Sequence, residues 1–204
     1  MEKSGVSYGS DVISPAIPRA QLIPQADLYR SKKLLSQSWS RETAYPNVAD
    51  QLSWTTGNPC GQCGVSSVWL AHVLRNRYSI SSIFCRGSLT FYYGSAENLL
   101  DHCWLEINGE SGEELVLDLT CDQAPGFCRP IVFKSKADLD REHIRYISRE
   151  RVEMSSLPKN PVWPRYQILL ANLHKLASYN HIPEEGVDQS HPFGDETLQL
   201  ARVV

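Results

Sequence analysis

No apolar run in this chain of 204 residues approaches the roughly 20 that a membrane-spanning helix needs. An excess of one charge is lacking too: the net charge is −3 and the isoelectric point is near 6.1. Neither a nucleic acid nor a membrane surface is therefore expected as a partner, because both call for a basic face. The opening residues, Met1-Glu2-Lys3-Ser4-Gly5, lead into a polar segment without an apolar signal core. Export is not expected on that basis, and a reducing, cytoplasmic setting is the default. No internal repeat is present. A disulfide framework is not needed either, since 42% of the residues are hydrophobic, enough for one ordinary core. Of the six cysteines, several are expected to serve as small buried hydrophobes.

What the chain does have is one domain between loose ends. Residues 1–24 form an N-terminal arm with Pro15, Pro18 and Pro24, residues 25–182 the domain, and residues 183–204 a polar tail. The pattern predicts a helix over 25–40, with Leu28, Leu34, Leu35 and Trp39 on one face, then loop over 41–62. The segment 64–76 is apolar nearly all round, which predicts a buried helix. Two strands, Ser79–Cys85 and Ser88–Tyr93, are expected to turn at Arg86-Gly87. Two more follow over 101–107 and 113–120. Helical character is expected over Asp138–Tyr146 and again over Arg165–Tyr179.

Cys63 opens the apolar helix within Gly61-Gln62-Cys63-Gly64. A thiol there meets unpaired backbone N–H groups and the positive end of the helix dipole, and both favour the nucleophilic thiolate. Downstream, Asp101-His102-Cys103-Trp104 offers a base, and Leu117-Asp118-Leu119-Thr120 a carboxylate to orient it. Strand alternation places His102, Trp104 and Glu106 on one face, opposite Cys103, Leu105 and Ile107. It likewise separates Glu114, Val116 and Asp118 from Leu115, Leu117 and Leu119. A hairpin centred on Glu110 sets His102 against Asp118, Trp104 against Val116, Ile107 against Glu113 and Glu106 against Glu114. Facing residues have Cβ atoms about 4.5–5.5 Å apart, close enough for a carboxylate to meet an imidazole N–H. A slip of one residue would separate them onto opposite faces.

Gln62 and Trp54 could add oxyanion donors to the Cys63 backbone N–H, and Trp104 is a further candidate for substrate contact. Asp122 is the fallback partner for His102. His72, on the buried helix, is expected to be satisfied structurally. Cys60-Gly61-Gln62-Cys63 also fits a zinc knuckle or a redox pair. Zinc needs more ligands, and the spacing of Cys121 and Cys128 matches no common second half-site. A thioredoxin-like motif would follow a βα unit, whereas loop precedes this one.

The motifs together are similar to those of the transglutaminase-like branch of papain-like thiol enzymes, in which Cys, His and Asp follow in that order. A closer resemblance is to the YunG-like family. It is carried by Ser38-Trp39-Ser40-Arg41-Glu42-Thr43-Ala44-Tyr45, Asn58-Pro59-Cys60-Gly61-Gln62-Cys63, His102-Cys103-Trp104 and Asp118-Leu119-Thr120-Cys121-Asp122-Gln123, within residues 25–180. The resemblance implies an α+β, papain-like fold with a transglutaminase-like core, its nucleophile-bearing helix packed on an antiparallel sheet. It implies a Cys63–His102–Asp118 triad but no particular substrate; from the triad itself a thioester intermediate, a peptide or protein substrate and no cofactor are expected. Two features depart from it: the N-terminal arm, and a long insertion, Arg86–Leu100, with Phe91, Tyr92 and Tyr93 expected to be exposed. A non-catalytic protein-binding module presenting those aromatics, and a zinc or redox CxxC protein, are the alternative readings.

Overall fold

A computed structural model of the chain describes residues 23–49, 55, 57–92, 96–109 and 112–179. Most of the expected N-terminal arm, the C-terminal tail, Trp54 and Tyr93 lie outside the described residues.

Helix α1, Gln25–Ser38, buries Leu28, Leu34 and Leu35. Trp39 follows it into the core and donates its indole N–H to Ser66 Oγ at 3.0 Å. The expected loop contains a 3-10 turn at Arg41–Thr43 and a short helix α2, Pro46–Ala49. Helix α3, Cys63–Tyr78, is the apolar segment, and Val65, Val68, Trp69, Ala71 and Leu74 are buried. A helix with no polar face needs cover all round. It has the sheet on one side and the C-terminal helix on another. It stops at Ser79, whose left-handed backbone (φ 55°) returns its N–H to Leu74 O.

Five antiparallel strands form one sheet in the order β4-β3-β2-β1-β5. They are β1 Ile83–Tyr92, β2 Ala96–Asn108, β3 Glu114–Asp118, β4 Val132–Ser135 and β5 Ile144–Glu153. Helix α4, Lys136–Arg141, joins β4 to β5, and α5, Trp163–Tyr179, closes the described chain. The molecule is thus α+β, with helices packed on an antiparallel sheet. Among the described residues, no helix is long and apolar enough to cross a membrane.

The sheet has apolar cover on both faces. Cys103, Leu105, Ile107, Leu115 and Leu117 join the α3 core. Trp104 and Val116 join a second cluster with Leu89, Phe91, Leu139 and Tyr146. The alternation expected for β2 and β3 therefore holds.

Several expectations are corrected. Arg86-Gly87 is not a turn: β1 runs straight through it as one strand, with a register shift at Gly87 against both neighbours. A Cβ on Gly87 would collide with the Ile147 carbonyl oxygen, so glycine marks a close backbone approach. The insertion Arg86–Leu100 supplies most of the β1–β2 hairpin. Phe91 is not exposed but packs edge-on against Phe127 at 4.9 Å, whereas Tyr92 is exposed. The region Asp138–Tyr146 is helical only as far as Arg141. Beyond the turn, Ile144 and Tyr146 are buried and Arg145 and Ile147 exposed, a strand alternation hidden among charges.

Candidate active site

Cys63 is delivered by a tight turn. Gly61 has φ +75°, and a Cβ there would lie 2.9 Å from Tyr45 N. Its carbonyl accepts the Tyr45 N–H at 3.0 Å, and Gln62 N–H donates to Pro59 O at 3.0 Å. The helical ladder starts with Ser66 N–H to Gln62 O, so the N–H groups of Cys63, Gly64 and Val65 open α3 without an intrahelical acceptor. The Cys63 sulfur lies 4.0 Å from Asp101 O, beside the β2 backbone that carries His102. Both the His102 ring and the Cys103 thiol act on it electrostatically, each favouring the thiolate.

His102 and Asp118 meet as expected, by a different register. The hairpin pairs Leu105 with Leu117, Glu106 with Val116, Ile107 with Leu115 and Asn108 with Glu114. Its centre therefore lies one residue beyond Glu110. The slip is of two positions, so every side chain keeps its face. His102 and Asp118 are diagonal neighbours, and Glu106 does not oppose Glu114. His102 Nε2 is 2.5 Å from Asp118 Oδ2. The same oxygen accepts from Tyr146 OH at 3.0 Å, while Oδ1 accepts from Thr120 N–H at 2.8 Å and Thr120 Oγ1 at 3.0 Å. Both His102 and Asp118 are fully buried, and the carboxylate is held by four donors.

Gln123 settles the imidazole tautomer of the neutral ring. Gly61 N–H can only donate, and at 3.2 Å it faces Gln123 Oε1. The amide nitrogen of Gln123 is therefore the end that lies 2.9 Å from His102 Nδ1. In neutral His102, Nδ1 then carries the lone pair and Nε2–H donates to Asp118.

The electrostatics favour an ion pair. The Cys63 thiol is held well below its ordinary value of 9.0, first by the Cys103 S–H bond and then, against the cost of burial, by His102. Cys103 is pushed well above the same value because it gives up that bond if it ionises. Burial works against a charged His102, but the Asp118 carboxylate prevails and raises it to about 10. For Asp118, burial is likewise outweighed, here by the His102 charge and hydrogen bond, and its carboxyl is lowered. Cys60 is raised by burial, so the two cysteines of the CxxC differ in kind.

A cleft of about 430 Å³ opens onto the sulfur, with Tyr45, Arg86, Cys103, Gln123 and Arg165 among its walls. Gln62 and Trp104 do not line it. The Gln62 amide donates to Ser40 O at 2.9 Å and accepts from Thr43 Oγ1 at 2.8 Å, bracing the turn ahead of Cys63 instead of facing a substrate. Trp104 is fully buried, lies 6.2 Å from the His102 ring and donates its indole N–H to Glu106. It supports the imidazole from within the core. Asp122 is bound to Lys32 at 2.7 Å, which removes it as the histidine's partner. His72 stacks on Tyr166 at 5.5 Å, but its Nε2 is buried without a hydrogen-bond partner among the described residues, so it is packed rather than satisfied there.

All six cysteines are free. Among the described residues, no three His, Cys, Asp or Glu side chains are grouped to hold a metal ion. No family model, curated protein or solved structure matches this chain.

Gln123, Cys103, Tyr146 and Thr120 are neighbours in the candidate site that sequence reasoning left without a role. Gln123 and Cys103 stood in quoted motifs, and Thr120 follows Asp118 by two residues. Tyr146 carried no signal, because its strand read as helix.

Proposed function

We propose that the protein is a cysteine-dependent acyl-transfer enzyme of the papain-like, transglutaminase-like class, with peptide or protein amides or esters as substrates. The observation that carries this reading is the buried His102–Asp118 pair, 2.5 Å apart, beside a helix-terminal sulfur whose thiolate the imidazole favours. Its cleft, its helix-terminal thiol and the YunG-like motifs support the same reading. Six free thiols suit a reducing, cytoplasmic setting.

The Cys63 thiolate adds to the carbonyl carbon, and the Cys63 backbone N–H stabilises the charge that develops on oxygen. The tetrahedral adduct collapses with cleavage of the C–N or C–O bond, and His102 gives its Nδ1 proton to the leaving amine or alcohol. A thioester remains. Neutral His102 then takes a proton from an attacking water or amine, the C–S bond breaks, and the acid or new amide leaves as the thiolate–imidazolium pair is restored. Asp118 orients the ring and supports its charge at each stage. These steps call on no metal or organic cofactor.

The test is covalent trapping with a panel of peptide, glutamine and ester electrophiles, read by mass spectrometry of the intact chain and its peptides. An acyl adduct confined to Cys63 and lost in His102→Ala is expected. No adduct above the Cys63→Ala background across the panel would refute the proposal.

A further inference from the structure

The cleft holds a cation that no carboxylate pairs with among the described residues, although its charge acts on the Cys63 sulfur. Arg165, near the start of α5, packs its guanidinium over the Tyr45 ring at 4.9 Å and donates to Thr43 O at 3.4 Å. Among the described residues it makes no salt bridge. The other charged groups on the cleft wall are already occupied. Arg86 binds Asp101 at 3.3 Å, and Arg149 reaches the same carboxylate oxygen at 2.6 Å. Glu150 accepts from Asn160 at 3.2 Å. Arg165 also stands next to the chemistry: its terminal nitrogen is 3.8 Å from the point a Cβ of Gly64 would occupy, one residue after the nucleophile.

A half-buried guanidinium with one long bond to a carbonyl leaves most of its five donors unused. Its partial desolvation is unfavourable unless something compensates. The contact with the Tyr45 ring restrains the guanidinium, which prepares its fork for two parallel bonds to a planar anion. The sulfur engages its charge but not its planar fork, and the fork fits a carboxylate that arrives from outside the chain, in a cleft that also holds the thiol.

We propose that Arg165 is a carboxylate-recognition residue, so that the acyl substrates of Cys63 carry an anionic carboxylate close to the scissile carbonyl. The substrate assignment rests on the thiol reading above, whereas the anion site can be measured apart from it.

The experiment compares iodoacetate with iodoacetamide as alkylating agents of Cys63 in the full chain, by peptide mass spectrometry. The two are nearly isosteric, differ by a carboxylate, and share whatever reactivity the sulfur has. Arg165→Met is expected to lower the iodoacetate-to-iodoacetamide rate ratio about tenfold, the size of effect a charge-assisted hydrogen bond produces, with Arg165→Lys recovering part of it. The iodoacetamide rate should fall too, because the Arg165 charge also acts on the Cys63 sulfur, but by clearly less than the iodoacetate rate. In the unmodified protein, succinate should slow alkylation by iodoacetamide, and succinamide at matched ionic strength should not. An unchanged ratio in Arg165→Met, equal loss of both rates, or equal protection by succinate and succinamide would overturn the proposal. The ratio is defined even if Cys63 alkylates slowly, so failure of the thiol reading would show separately, as an iodoacetamide rate no faster than that of the other cysteines.

Discussion

Gln123 donates to His102 Nδ1 at 2.9 Å, and Nδ1 is the nitrogen left for the Cys63 sulfur once Asp118 has taken Nε2. Two partners therefore compete for one site. The Gln123 bond favours neutral imidazole, while the ion pair needs Nδ1–H pointing at sulfur. Gln123→Leu removes the competitor, so the apparent pKa of the Cys63 thiol should fall further. The same change leaves Gly61 N–H without its acceptor and should cost about 1 kcal/mol of stability. Alkylation rate against pH and urea unfolding check the two halves. A thiol pKa that rises would contradict the competition.

The pH dependence follows from the directions of the shifts. A lowered thiol pKa means that thiolate survives at pH values below the ordinary 9.0, so the acid limb of Cys63 alkylation should lie well below that value. A histidine raised to about 10 keeps its proton across neutral pH and loses it above, so turnover should fall as pH rises through about 10, when no acid remains for the leaving group. Initial rates across this range, with denatured protein as the unshifted control, test both limbs.

Asp118 sets the upper limb. Asp118→Asn removes the charge that supports imidazolium, so the His102 pKa should drop toward its ordinary 6.5 and the upper limb should move with it. Turnover should fall by about 10²–10⁴-fold, less than for His102→Ala. Tyr146→Phe removes one of the four donors to the carboxylate and should cost about 1–3 kcal/mol of stability with a smaller loss of rate. Ring-proton NMR titration of His102 and thermal unfolding distinguish these effects.

Cys103 supplies the first of the influences that lower Cys63. Cys103→Ala deletes a donor without adding bulk, so the Cys63 thiol pKa should rise and its alkylation at neutral pH should slow by about threefold to tenfold. Alkylation no slower than in the parent would show that the S–H bond contributes nothing.

Much of this site could be foreseen because it depends on alternation and on helix chemistry. Cys63 begins a helix whose residues 64–76 are apolar nearly all round, and His102 and Asp118 lie on the faces their strand positions dictate. The hairpin register was missed by two positions because the polar stretch Asn108–Gly112 can turn about more than one centre; Gly109 N–H closes it onto Glu113 O at 2.7 Å. Only an odd slip would have parted the histidine from the aspartate. Arg86-Gly87 looked like a turn because glycine serves both turns and bulges, and the approach of Ile147 O that decides between them is a long-range event. Gln123 could not be assigned from spacing, since its role depends on the 3-10 turn Cys121–Gln123 folding back beneath Gly61. Arg165 was illegible for a similar reason: the lack of a pairing carboxylate is a property of the assembled cleft.

The most direct measurement of the central claim is the iodoacetamide rate at each of the six cysteines at neutral pH, in the unmodified protein and in His102→Ala. The account predicts that Cys63 reacts at least about tenfold faster than any other thiol, and that the advantage disappears in His102→Ala. Slow, equal alkylation of Cys63 and its neighbours, or a fast Cys63 that is indifferent to His102, would contradict it.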